Sequence, residues 1–168
     1  MRIAIATTAN TRSLVDLLCE LYEYYNTEEK ADRTAILYHL QTNLLSAKSE
    51  IRLVIAVDPD DSILGLAAIH FVHSIVDPTP EGRKQCVLKE LFVCKNHRSR
   101  KIGHELMIWV SKHALENGCG RLDWNVKATN LNGISFYEKL GAELVKDRIS
   151  FRLTQPAIMA LANGLQPQ

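Results

Sequence analysis

The sequence predicts an α/β domain: a mixed, mostly antiparallel sheet of six to seven strands with a central parallel strand pair, and about four helices. Short β-branched runs bounded by turn residues recur along the chain, and stretches with apolar residues at helical spacing lie between them. Residues 86–126 read strand, crossover helix, strand, an order that requires neighbouring parallel strands. The 168 residues, 46% hydrophobic and 23% charged, fit one domain spanning 1–168 with a packed core.

Residues 2–7 alternate weakly, with Ile3 and Ile5 on one face, as a short first strand does. Asn10 and Thr11 can cap a helix that buries Leu14, Leu17, Leu18, Leu21 and Tyr25 and ends near Asn26. Thr27, followed by Glu28 and Glu29, predicts a second helix running to about Ala47, because a hydroxyl cap and early carboxylates satisfy free amides and the helix dipole. Residues 51–57 and 63–71 are β-branched runs joined by the turn residues of 58–62. Pro78 and Pro80 break the chain before 86–94, apolar at nearly every position and hence expected to be covered on both faces.

A helix follows over 102–116, with Leu106, Trp109, Val110 and His113 on one stripe and Asn117 and Gly118 at its end. Residues 121–126 form the parallel partner. Asn130 can cap a fourth helix that stops at Gly141, and 143–145 with 149–153 read as a closing antiparallel pair. The tail after Pro156 is weakly amphipathic.

Twenty Lys and Arg against nineteen Asp and Glu give a net charge of +1, so no global field draws nucleic acid to the surface. Cys19, Cys86, Cys94 and Cys119 show no CxxC pairing. The N-terminus lacks a signal-peptide core, and no apolar run reaches the roughly 18 residues of a membrane span. A soluble protein of a reducing cytoplasm is the expectation, with no nucleic-acid or membrane partner.

The segment VCKNHRSRKIG at 93–103 sets Arg98, Arg100, Lys101 and Gly103 between a buried strand and a helix start. Unpaired amides and the helix dipole favour an anion there, and the cationic side chains reinforce it, which suits a pyrophosphate. The same charges could instead form an ordinary solvated loop. Neither GxxxxGK[ST] nor GxGxxG after a strand is present.

Taken together, LKELFVCKNHRSRKIGHELM at 88–107 and NLNGISFYEKLGA at 130–142 resemble the GNAT superfamily of acyl-CoA-dependent N-acetyltransferases, supported by LDWNV at 122–126. The region around 88–93 is similar to the diamine and polyamine (spermidine/spermine-type) branch. The family loop runs Arg or Gln, two residues, Gly, one residue, then Gly or Ala. Arg98 and Gly103 occupy its ends, Lys101 stands at the middle Gly and Ser99 replaces another frequent Gly. The resemblance implies that acetyl-CoA binds through Arg98, Ser99, Arg100, Lys101, Ile102, Gly103 and His104. The pantetheine arm would lie between strands that splay apart after Phe92 and Val93, in contact with Asn130 and Phe136. Asn130 equally serves as an N-cap, and Phe136 has the spacing of a core residue.

Tyr137 matches the family's general acid. A phenol near pKa 10 suits protonation of a departing thiolate, although a packing tyrosine fits the same position. The attacking amine needs a base, either a carboxylate on the central strand or an ordered water chain, and Glu90 is the candidate. The catalytic Glu of the polyamine-type branch aligns one position earlier, with Lys89, and alternation puts Lys89 and Glu90 on opposite faces.

Glu20, Glu23, Glu28, Glu29 and Asp32 cluster where the family covers its acceptor site, and Tyr22, Tyr24 and Tyr25 lie among them. Glu23, Tyr24 and Glu28 are therefore candidate contacts to a cationic amine, with a solvated helix face as the plain alternative. His70 and His73 should point to opposite faces of a strand, and Cys94 with His97 lacks a second ligand pair, so no metal is expected. The resulting expectation is an enzyme, homodimeric by resemblance, that acetylates a small amine such as a polyamine or diamine. Alternatives are protein Lys or N-terminal acetylation and a non-catalytic acyl-CoA sensor.

Overall fold

The computed structural model describes residues 1–164; the last four positions of the expected 1–168 domain lie outside the described residues. The chain forms two compact units, Met1–Lys127 and the segment from Ala128 onward. The first contains β1 (Arg2–Ile5), α1 (Thr11–Tyr25), α2 (Arg33–His39), β2 (Arg52–Val57), β3 (Ile63–His73), β4 (Lys84–Val93), α3 (Ile102–Glu116) and β5 (Arg121–Trp124). Its strands lie in the order β1-β2-β3-β4-β5, antiparallel except for the parallel β4–β5 pair.

The sheet is buried on both faces, which is why β2 and most of β3 are apolar at successive positions rather than alternate ones. One face packs Leu53, Ile55, Val57, Leu66, Ala68 and Phe92 against Leu14, Val15 and Leu17 of α1 and against Leu40. The other meets α3: the Phe71 ring stacks on His113 at 5.7 Å, and Ile102, Leu106, Met107, Val110 and Ala114 are buried along the helix. Each fully buried Leu contributes about 1.5–3 kcal/mol from removal of apolar area from water.

A bulge in β4 decides which face its residues join. Ala68 pairs with Glu90 while Ile69 pairs with Leu88, so Lys89 is an extra residue on the β4 side. In an unbroken strand Cys86, Leu88 and Glu90 would share a face. The insertion leaves Leu88 opposite Ile69 on the α3 side and turns Glu90 to the α1 side, together with Ala68 and Phe92. The parallel ladder with β5 also ends there, at Leu88↔Trp124. The strands therefore part well before Phe92 and Val93, because a bulged strand bends away from a straight neighbour.

The second unit holds α4 (Leu131–Lys139) and α5 (Gln155–Ala162). Asn130 caps α4 by accepting from the Gly133 amide at 3.0 Å, and Gly141, at φ 83, ends the turn that follows.

Four expectations need correction. Among the described residues the sheet has five strands, not six to seven, and its parallel pair lies at the sheet edge rather than the centre. Residues 143–145 and 149–153 form no strand. Their alternation meets the side-chain pattern, but a strand also needs a paired edge, and Leu144, Ile149, Phe151 and Leu153 are exposed. The second helix starts after Asp32, whose carboxylate accepts from the amides of Thr34 and Ala35, and not at Thr27. Finally, the tail contains a fifth helix, α5, with Thr154 before it and a proline in its first turn, so that about four helices become five among the described residues.

Gly65 permits the close approach of β3 to the end of β4: a Cβ there would sit 2.7 Å from the Phe92 carbonyl oxygen and 3.2 Å from the Val93 Cα. Gly65→Ala is expected to destabilise the protein by about 1–3 kcal/mol in urea unfolding, as for other overpacked sites. An unchanged midpoint would mean that the strands yield freely at this point.

Candidate active site

Glu90 is half-buried on the α1 side of β4. The Tyr25 hydroxyl donates to its carboxylate, at 3.2 Å to Oε1 and 3.0 Å to Oε2, and the Leu91 amide donates to Oε1 at 3.2 Å. Burial pushes the Glu90 carboxyl above the usual carboxylate range, while the Tyr25 hydrogen bond, the Leu91 amide and the Lys127 ammonium pull in the opposite direction. Lys127 also lies 4.9 Å from the centre of the Tyr25 ring.

A second cluster forms where β4 ends. The Arg98 Nε donates to the Val93 carbonyl at 3.1 Å, and the guanidinium carbon lies 5.2 Å from the Tyr24 ring centre and 5.6 Å from that of Phe92. The Tyr24 and Phe92 rings are 5.8 Å apart. Arg98 thus turns back over the strand end, and α1 and β4 are joined at two consecutive residues of α1, Tyr24 and Tyr25.

The loop from β4 to α3 holds two non-glycine residues in the left-handed region, Ser99 at φ 63 and Lys101 at φ 62. These are the two positions at which the sequence replaces glycine. The conformation costs an L-residue about 1–2 kcal/mol, so the loop path is kept against its local preference. Lys101 is the N-cap of α3, and the first intrahelical bond runs from the Glu105 amide to its carbonyl at 3.0 Å. The amides of Ile102, Gly103 and His104 precede that bond at the positive end of the helix dipole, with the exposed side chains of Arg100 and Lys101 before them. Glu105 adds one opposing charge in the first turn, 3.6 Å from the His104 ring. This donor set fits a phosphate or pyrophosphate.

The candidate acceptor residues are differently placed. Tyr24 is 49% exposed and belongs to the Arg98 cluster. Glu23 accepts from the Ala31 amide at 3.4 Å, so it ties the α1–α2 connection, and Glu28 is exposed in that connection. Asn130, Phe136 and Tyr137 belong to the second unit, where the Phe136 and Tyr137 rings meet edge to face at 5.2 Å. His70 and His73 lie an odd number of residues apart on β3, opposite Val87 and Lys84.

Sequence reasoning did not identify the Tyr25–Glu90–Lys127 grouping. Tyr25 read equally well as core, and no local pattern links residues 25, 90 and 127. The one available signal was that Tyr25 ends the helix stripe, where a ring can leave the core while its hydroxyl finds a polar partner.

Residues 13–142 match the family model described as "Acetyltransferase (GNAT) family". Over 74 residues the chain is 35% identical to L-ornithine N5-acetyltransferase NATA1 of Arabidopsis thaliana, covering 44% of this chain and 32%, about a third, of that relative's length. An integron cassette protein from the mobile metagenome of V. cholerae has a similar structure, with a TM-score of 0.86 at 28% identity over 96% of both chains. Aminoglycoside N-acetyltransferase AAC(6')-Iy, solved in complex with CoA, shares the fold at a TM-score of 0.72 and 19% identity, covering 90% of this chain and 93% of that one.

Two stability measurements follow from this geometry. Lys101→Gly should stabilise the protein by about 0.5–1 kcal/mol, the relief of left-handed strain less the extra unfolded-state freedom of glycine; destabilisation would show that the lysine side chain holds the loop. Because the folded-state pKa of Glu90 is raised, its contribution to stability is complete below the unfolded carboxylate range and is lost as pH rises through the folded value. The Tm of Glu90→Gln relative to wild type should therefore rise as pH increases from the ordinary carboxylate range upward. A difference independent of pH would contradict the raised value.

Proposed function

The chain belongs to the acetyltransferase (GNAT) family, and on that premise we propose that it transfers an acetyl group from acetyl-CoA to the primary amine of a small cationic diamine or polyamine. The observation that carries this reading is Glu90, a half-buried carboxylate with a raised pKa on the α1 side of β4, one strand-end away from a helix start suited to a pyrophosphate.

In this reading acetyl-CoA supplies the thioester, and its phosphates are held by the amides of Ile102, Gly103 and His104 with Arg100 and Lys101 beside them. Glu90 takes a proton from the incoming ammonium, a role that its raised pKa favours by bringing it closer to the pH at which it works. The free amine attacks the thioester carbonyl carbon, the C–N bond forms and the C–S bond breaks. Tyr137 donates its proton to the departing sulfur, so that no isolated thiolate is left in a poorly solvated site. Glu23, Tyr24 and Glu28 would meet the rest of the amine.

Support for a diamine comes from the relative named for acetylating N5 of L-ornithine, a small molecule with two amines. The acidic residues of 20–32 favour a cationic acceptor over a neutral one. A cytoplasmic setting and a homodimer belong to the same proposal.

The test is release of free thiol from acetyl-CoA in the presence of putrescine, spermidine, L-ornithine, an aminoglycoside and a Lys peptide. Turnover with the diamines ahead of the peptide is the expected result; binding of acetyl-CoA without turnover on any amine would favour a sensor. Tyr137→Phe keeps the ring, so kcat should fall by roughly 10²- to 10⁴-fold with acetyl-CoA affinity little changed, and near wild-type kcat would make Tyr137 a packing residue.

A further inference from the structure

We propose that Tyr25 is a positioning residue for acetyl transfer, fixing the plane of the Glu90 carboxylate through its hydroxyl and coupling the end of α1 to the reacting strand. This rests on Glu90 acting as the base.

The contact spans 65 residues of sequence and joins the end of α1 to β4 beside the Tyr24–Phe92 ring contact. Tyr25 is the last residue of α1, and the turn that presents it is closed by Asn26, whose backbone amide and side-chain amide both donate to the Tyr22 carbonyl at 2.9 Å. Its ring is held on two sides, edge to face with Tyr24 at 5.2 Å and with the Lys127 ammonium 4.9 Å from its centre. A tyrosine has only two side-chain torsions, and with the ring so held the hydroxyl has little freedom left.

At the carboxylate, Oε1 accepts from both the Leu91 amide and Tyr25, whereas Oε2 accepts from Tyr25. Two donors from different elements fix the orientation of the carboxylate plane, and Oε2 keeps acceptor capacity for a proton from an amine. Among the described residues, the charged and titratable groups that bear on Glu90 from the packed elements are Tyr25 of α1 and Lys127 after β5, while β3 presents the Ala68 methyl. Both favour the ionised form against burial, so removing the hydroxyl should move the carboxyl further up. Tyr25 is 47% exposed, which keeps the effect modest.

The test uses Tyr25→Phe, which keeps the ring between Tyr24 and Lys127. In carboxyl-carbon NMR of the intact protein, with Glu90→Gln identifying the Glu90 resonance, that resonance should titrate at higher pH in Tyr25→Phe than in wild type. With acetyl-CoA and putrescine, kcat/KM of Tyr25→Phe should be about three- to tenfold lower at the acid end of the profile, with the deficit narrowing as pH rises. An unchanged Glu90 titration midpoint in Tyr25→Phe, with Glu90→Gln moving the acid limb up to the pH at which the free amine itself loses its proton, overturns the role of Tyr25 and leaves Glu90 as the base. An acid limb left at the wild-type pH in Glu90→Gln overturns the base reading itself and the positioning role with it. A uniform loss across pH in Tyr25→Phe, with no change in the titration, reduces the contact to packing.

Discussion

The extra residue at Lys89 in β4 is the constraint on which the rest of the site depends. A strand buried on both faces has no room for a carboxylate unless that carboxylate is turned toward polar partners, and uninterrupted alternation would put Glu90 on the same side as Cys86 and Leu88, under α3. The bulge reverses the alternation after Leu88. Leu88 stays in the apolar layer, and Glu90 reaches the α1 side, where Tyr25 and Lys127 meet it. The same bend ends the parallel ladder with β5 at Leu88↔Trp124 and leaves β4 to run on without β5 to its end at Val93, whose carbonyl accepts from Arg98.

Local preference is set aside a second time in the loop that follows. Ser99 and Lys101 adopt left-handed backbone where glycine would be free to do so, at the positions where the sequence departs from the family's glycines. Keeping the path while changing the residues retains the amides at the head of α3 and adds a cation at Lys101. Strain of this kind persists where the surrounding structure over-determines it, here by the buried start of α3 at Ile102 and by Arg98 on the Val93 carbonyl.

Much of the fold was legible because its signals are local. Gly118 and Gly141 end their helices in left-handed conformations as expected, the turn residues of 58–62 join β2 and β3, and the strand–helix–strand order yields the parallel pair. The second helix is capped by Asp32 and not by the expected Thr27, because the Asp32 carboxylate accepts two amide hydrogen bonds. The residues of 143–153 carry strand periodicity without a strand, because periodicity describes side chains and pairing is a matter of backbone partners. In the candidate site, the loop and Glu90 could be named from the sequence, but the face that Glu90 occupies depends on a bulge with no local signature. The clamp by Tyr25 depends on contacts 65 residues apart.

The proposed acyl-CoA site consists of the end of β4 and the head of α3. Backbone amide NMR of the full chain titrated with acetyl-CoA tests it most directly. The account predicts saturable shifts largest at Ile102, Gly103 and His104, with smaller ones at Leu91, Phe92 and Val93, and an affinity that weakens as salt screens Arg100 and Lys101. Saturable binding that leaves the Ile102, Gly103 and His104 amides unmoved would contradict it.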